Sequence, residues 1–293
     1  MKTFLFVTFA GCALAMSSSA GSDREHWDIR EQETIQKTLT RAGPPMRLVI
    51  DDVDGYIHVT GTSGSQVQVT AHKTIRADTA SDLQEAKNDV KLEITEKPGS
   101  VVIYYDAPWR CDGGNRDCSG QRHRRFYNVT YDIDVLVPRQ ARVVASTVNN
   151  GDVHIDKTAG DFDVSNVNGG IRMTEVSGSG DVHTVNGPVS VQFAKNPAGP
   201  ASFKSLNGQL DIYFQPGLSA DLLFKTFNGE IYSDFEVTPR AVLAGETGEH
   251  NGKFIYRSNG LKGARAGQGG PEYSFDAFNG NIRIHRAVQG AGK

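Results

Sequence analysis

Past its first twenty residues, this 293-residue chain has no apolar run near the length of about 20 residues that a bilayer-spanning helix needs. It also lacks charge of one sign. The formal net charge is −3, so no global field marks it as a binder of nucleic acid or of membrane surfaces. No nucleophile-elbow motif is present, and no other constellation rises to a catalytic signature. Cysteine is scarce, with three in the chain, and no further metal ligands stand at short spacing beside the pair Cys111 and Cys118.

The apolar fraction of 38% and charged fraction of 22% are those of a folded soluble chain rather than a disordered one. Glycine is abundant at 32 residues, which points to many tight turns rather than long helices. Residues 1–20 read as a signal peptide. Lys2 supplies the positive start, Phe4 to Ala15 a short apolar stretch, and Ser18-Ser19-Ala20 the small residues of a cleavage site. Phe9-Ala10-Gly11-Cys12 also resembles a lipobox, with lipid on Cys12. The apolar stretch before it is short for that role, and a chance cysteine in a discarded segment is the simpler reading. An exported chain meets an oxidising compartment, so Cys111 and Cys118 are expected to form a disulfide across six flexible residues.

Residues 21–33 read as a polar leader. From 34 to 138 the chain alternates in the period-two manner of half-buried strands, as in Tyr56-Ile57-His58-Val59 and Gln66-Val67-Gln68-Val69. One helix is expected after Ser81 as its cap, with Leu83, Ala86 and Val90 at helical spacing. Asn128-Val129-Thr130 matches a glycosylation acceptor but sits inside a strand, so the match is read as accidental.

From 139 to 286 a repeat appears, making 34–286 one continuous domain with a tail at 287–293. Asn-Gly corners at Gly151, Gly169, Gly187, Gly208 and Gly229 are spaced 18, 18, 21 and 21 residues apart, and Asn279-Gly280 adds another. Asn and Gly tolerate positive φ, so each pair makes a sharp corner. The residues two and four places on are apolar: Val153 and Ile155, Val189 and Val191, Ile282 and Ile284. The fold class is therefore all-β. A β-solenoid of 18–21-residue coils, with N-terminal strands and one short helix, is favoured over an antiparallel sandwich or meander, because strong corners recur at every second link.

The ordered set of Asp54-Gly55-Tyr56-Ile57-His58-Val59, Tyr131 to Pro138, Thr147-Val148-Asn149-Asn150-Gly151, Asn166-Val167-Asn168-Gly169, Thr184-Val185-Asn186-Gly187 and Ser205-Leu206-Asn207-Gly208 resembles the putative-adhesin family of exported bacterial proteins. The resemblance spans roughly residues 40–286. It implies a solenoid-like fold and an envelope or surface location, and it carries over no catalytic residue. The Cys111–Cys118 loop departs from the family pattern.

Trp109, Arg110, Arg116, Arg122, Arg124 and Arg125 form a candidate anion-binding loop with local net charge +3, since guanidinium pairs with phosphate or carboxylate. The bland alternative is a solvated loop tip. Asp51, Asp52 and Asp54 suggest calcium, but the twelve-residue loop spacing is missing, so neither metal nor cofactor is expected. A polysaccharide-active enzyme needs two facing carboxylates. Asp152, Asp163, Asp181, Asp211 and Glu230, like His58, His154, His183 and His285, read instead as an outward polar face. The expected function is a non-enzymatic exported protein of periplasm or cell surface, presenting a repetitive β surface for adhesion or scaffolding. The alternative is an envelope-stress or signalling accessory. The partner expected is an envelope component or protein, with an anionic glycan or lipid headgroup as the candidate chemistry.

Overall fold

The computed structural model describes residues 27–40, 46–110, 126–241 and 262–287, and the backbone of 247–250 and 253–256. The N-terminal part holds β1 (Ile29–Leu39), β2 (Arg47–Asp51), β3 (Ile57–Thr62), β4 (Val67–Ala77), α1 (Ala80–Asp89), β5 (Lys91–Lys97), β6 (Ser100–Asp106) and β7 (Tyr127–Pro138). β1 pairs with β4 along its whole length, so Ile29 to Glu33, read above as the end of a leader, belong to a sheet. The helix cap also differs from the expectation. Thr79, not Ser81, is the cap, in extended backbone, because Asp82 answers its side-chain bond with one back to the Thr79 N–H at 3.0 Å.

The repeat comprises β8 (Arg142–Thr147), β9 (Val153–Asp156), β10 (Phe162–Asn166), β11 (Ile171–Val176), β12 (Gly180–Asn186), β13 (Val189–Phe193), β14 (Ala201–Asn207), β15 (Leu210–Phe214), β16 (Ala220–Asn228) and β17 (Ile231–Ser233). β18 (Val237–Arg240), β19 (Thr247–His250), β20 (Lys253–Tyr256), β21 (Lys262–Ala266), β22 (Glu272–Asn279) and β23 (Ile282–Arg286) follow.

The fold is all-β apart from α1, with two large mixed sheets. The first runs β1-β4-β7-β3-β9-β11-β13-β15-β23-β17 and the second β18-β21-β16-β22-β14-β12-β10-β8-β2-β6-β5. Successive strands of the repeat fall alternately in the two sheets, and their neighbours are parallel, as for β10 with β12 and β11 with β13. Within these two sheets antiparallel pairs among the described residues lie at the ends, at β1–β4–β7, β5–β6 and β16–β21–β18, and β19 and β20 form a separate antiparallel pair. The stacking order departs from chain order once. β22 and β23 insert between the strands of the Asn207 and Asn228 corners, so the last repeat in sequence is the penultimate one in space.

Parallel register brings like positions together. Val153, Ile171, Val189, Leu210 and Ile282 form one buried column, each within 2% of complete burial. Aromatic rings fill the core between the later strands: Phe193 stacks on Phe214 at 5.3 Å, Phe214 on Tyr273 at 5.3 Å, and Phe275 on Phe203 at 5.4 Å. Burying each such side chain contributes about 1.5–3 kcal/mol. Among the described residues no helix is long and apolar enough to cross a membrane.

Candidate functional site

The corner between the sheets is built from four consecutive roles, visible in Thr184-Val185-Asn186-Gly187. The first residue points inward, and its hydroxyl caps the corner carbonyl of the neighbouring repeat. Thr184 donates to Gly169 O at 2.8 Å, Ser205 to Gly187 O at 2.9 Å and Thr147 to Gly55 O at 3.1 Å. Asn166 does the same with its amide, to Gly151 O at 2.9 Å. The asparagines join into a side-chain ladder. Each Nδ2 donates to the next Oδ1, from Asn168 to Asn149, Asn186 to Asn168, Asn207 to Asn186, Asn279 to Asn207 and Asn228 to Asn279, all at 2.8–2.9 Å.

Glycine is demanded here for a reason other than the expected one. Among the corner asparagines only Asn150 has positive φ, and of the column's glycines only Gly55 lies in the left-handed region. A Cβ on Gly187 would instead lie 2.2 Å from Gly169 O, and one on Gly208 1.9 Å from Gly187 O. The corners need glycine because backbone stacks directly on backbone.

The second residue of each corner faces outward. With its neighbours it makes three parallel columns on the outer face of the second sheet. One contains Val148, Val167, Val185, Leu206, Phe278 and Phe227. It ends in large exposed side chains, with Phe227 74% exposed and stacked on Phe278 at 5.1 Å. The next contains His183, Lys204, Asp276 and Lys225 in direct register, and the third Asp163, Asp181, Ser202 and Ser274. Asp163, Asp181, His183, Lys204, Leu206 and Phe278 of these columns line a shallow open groove of 730 Å³.

The residues expected to bind anions are placed differently. Arg110 is committed inside the protein. Its guanidinium donates to both Asp51 carboxylate oxygens at 2.8 and 2.7 Å and to Tyr105 O, and lies 4.5 Å from the Tyr104 ring centre. Trp109 packs between Tyr105 and Tyr127, at 6.5 and 6.4 Å. Arg116, Arg122, Arg124 and Arg125, and the expected Cys111–Cys118 disulfide, lie outside the described residues, as do the signal segment with Cys12 and the tail from 288.

The acidic turn after β2 is a structural corner. Asp51 holds Arg110, while Asp54 accepts from Asn128 Nδ2 at 2.7 Å and Asn150 Nδ2 at 2.6 Å. That bond occupies the amide of the apparent glycosylation acceptor. Asp52 is 1% exposed, and neither carboxylate oxygen has a hydrogen-bond partner. Burial pushes its carboxyl up to about 7, and Asp54 adds to the rise. The Val53 and Asp54 N–H dipoles and Arg110 act in the opposite direction without making a hydrogen bond to it. Among the described residues no acidic, histidine or cysteine group could hold a metal ion. Sequence reading weighed Asp52 only as a metal ligand. Its inward place follows from strand alternation, but its lack of a partner does not.

On the outer face of the first sheet two histidines bridge carboxylates of neighbouring strands. His58 meets Asp156 at 2.8 Å and Asp134 at 3.3 Å, and Tyr56 donates to Asp134 at 2.8 Å. Desolvation and then the Asp134 bond push the Tyr56 hydroxyl up to about 12. His285 meets Asp211 at 2.9 Å and stacks on Tyr213 at 4.4 Å. Asp152 accepts from Gly170 N at 2.7 Å. Asp163 and Asp181 stand side by side on one open face.

No family model and no curated protein matches this chain. It is similar to the crystal structure of a putative cell adhesion protein from Clostridium sporogenes ATCC 15579, with 12% identity, a TM-score of 0.42, and 88% of this chain and 100% of the other covered. It is also similar to a putative adhesin from Bacteroides fragilis NCTC 9343, with 12% identity, a TM-score of 0.38, and 86% and 97% covered. A putative lipid binding protein from Parabacteroides distasonis ATCC 8503 is 10% identical, with a TM-score of 0.26 and 86% and 96% covered. Likeness at this level does not extend to function.

Proposed function

We propose that this chain is a non-enzymatic, exported protein of the periplasm or cell surface, in which the two sheets form a β-solenoid that presents a repetitive face for adhesion or scaffolding. The domain runs from 29 to 286, with the solenoid from 139, behind a signal segment at 1–20. The observation that carries this reading is the outer face of the second sheet. There outward side chains stand in register from strand to strand, as in Asp163–Asp181–Ser202 and Leu206–Phe278–Phe227, along an open groove. A rigid, periodic, shallow face matches an extended or repeating partner better than a small substrate, which requires enclosure.

The test is capture of envelope components by the mature chain, compared with a chain bearing Lys204→Glu and Phe278→Ser. Loss of a specific captured component in that variant supports the reading. Turnover of any member of a glycan panel by the intact chain overturns it. The basic loop is a separable second reading, favoured by Arg110, which ties the start of that segment to Asp51. Replacing Arg122, Arg124 and Arg125 by Ser should then abolish salt-sensitive binding to anionic glycans or liposomes, and unchanged binding excludes the loop.

A further inference from the structure

The outer face of the second sheet is graded along the stack. In its corner column, the half formed by β8, β10 and β12 carries the short side chains Val148, Val167 and Val185. The half formed by β14, β22 and β16 carries the long ones Leu206, Phe278 and Phe227, with exposures of 46%, 45% and 74%. The two phenyl rings are within 8° of parallel and stack on each other, yet both stay largely exposed. Soluble proteins seldom leave a contiguous apolar row of this kind uncovered.

We propose that this face docks on a second copy of the same chain, about a twofold axis that runs along the strands between β12 and β14. Such an axis reverses the strand order while keeping every column opposite itself. Val148 then faces Phe227, Val167 faces Phe278 and Val185 faces Leu206, so each long side chain meets a short one and the gap stays even. The polar columns oppose no like carboxylates. Asp163 and Asp181 face the hydroxyls of Ser274 and Ser202, while Asp276 and Lys225 face Ser165 and Ser146, which continue the His183 column on β10 and β8. His183 faces Lys204, with Asp181 beside it on the same strand.

The other face-to-face twofold, along the stack, is disfavoured. It sets Lys204 against Lys204 and Asp276 against Asp276, and lays Asp181 over Val185. Like charges directly opposed repel, and a carboxylate over an apolar side chain loses water without gaining a partner. The sequence of the face thus selects one symmetry and penalises the other, as isologous interfaces require.

The area sets the strength. Six strands about 4.8 Å apart and five residues at about 3.3 Å cover roughly 500 Å² on each copy. The total lies near the lower bound of about 1,000 Å² for specific interfaces, so the association is weak and depends on concentration. It does not depend on an adhesive role, and because it covers the face offered above to an extended partner, the two occupancies exclude each other.

Sedimentation velocity of the full mature chain, from micromolar to millimolar concentration, should show a monomer–dimer equilibrium. Phe278→Lys and Val167→Asp should each weaken it at least tenfold. A one-to-one mixture of these two chains should regain association, because the new charges meet across the axis. A wild-type chain that stays monomeric throughout overturns the proposal, as does a mixture no stronger than its parts. Should either variant misfold by circular dichroism, zero-length crosslinking of unlabelled with isotope-labelled wild-type chain decides. A link between Asp181 of one copy and Lys204 of the other supports the axis, and its absence from a crosslinked dimer refutes it.

Discussion

At the inner corner of the second sheet, Asp52 occupies the row held further along by Thr147, Asn166, Thr184 and Ser205. The register Asp51–Ser146 places it beside Thr147, and its N–H donates to Ser146 O. Those neighbours donate to a corner carbonyl, and a carboxylate has no proton to give. Its folded-state value of about 7 lies above the ordinary 3.8, so the folded protein holds the proton more tightly than the unfolded chain. The contribution of this one group to stability is therefore full at acid pH and is lost as pH rises from about 4 through about 7. Asp52→Asn supplies the donor that Asn166 already uses. It should leave stability little changed at pH 3, below both values, and raise it at pH 8 by up to about 4 kcal/mol, read by chemical denaturation at both values. Equal gains at the two pH values would show that the titration is not the cause.

Gly187 separates two reasons for glycine. Were positive φ the constraint, Asn would be tolerated there far better than Ala. Because a Cβ would meet Gly169 O at 2.2 Å, Gly187→Asn and Gly187→Ala should both destabilise by about 2 kcal/mol or more. Gly217 supplies the contrast, with φ +80 and nothing within 4 Å of a Cβ. There Asn should cost less than Ala. Thermal melting of the four variants checks the distinction.

Between elements, the asparagine ladder links six corners through amide bonds on an exposed edge. An interior rung makes two such bonds and the end rung, Asn228, makes one. With about 0.5–1.5 kcal/mol per bond, Asn186→Ala should cost about 1–3 kcal/mol and Asn228→Ala about half of that. Equal losses in urea unfolding would mean that the ladder is a consequence of stacking rather than a contributor. The corners themselves were legible in the sequence, since Asn-Gly recurs and the following residues alternate. Their chemistry was not. Which atoms an asparagine bonds depends on the neighbouring repeat, 18–21 residues away, and becomes visible only once the strands lie parallel.

At the scale of the molecule, the insertion of β22 and β23 makes the end of the chain a structural wedge. Phe275 stacks between Phe203 and Phe224 at 5.4 and 5.1 Å, and Asn279 joins Asn207 to Asn228. A chain ending at Arg240 should therefore lose more than its own strands. β16 and β17 would be left without their parallel neighbours, and limited proteolysis should cut throughout 215–240 while sparing the strands before β14. Protection of 215–240 in the shortened chain would mean that β16 can close onto β14 directly.

The sequence by itself determined the strand content, the corner positions, the inward apolar residues and the outward histidines and carboxylates, because period-two alternation and repeat spacing are local properties of the chain. Only the tertiary structure decided the stacking order of the last repeats, the engagement of Arg110 by Asp51 and the isolation of Asp52 among donors. Each of these is set by residues far apart in the chain, whose meeting depends on which strand edge is free when the chain returns, and no local pattern encodes that.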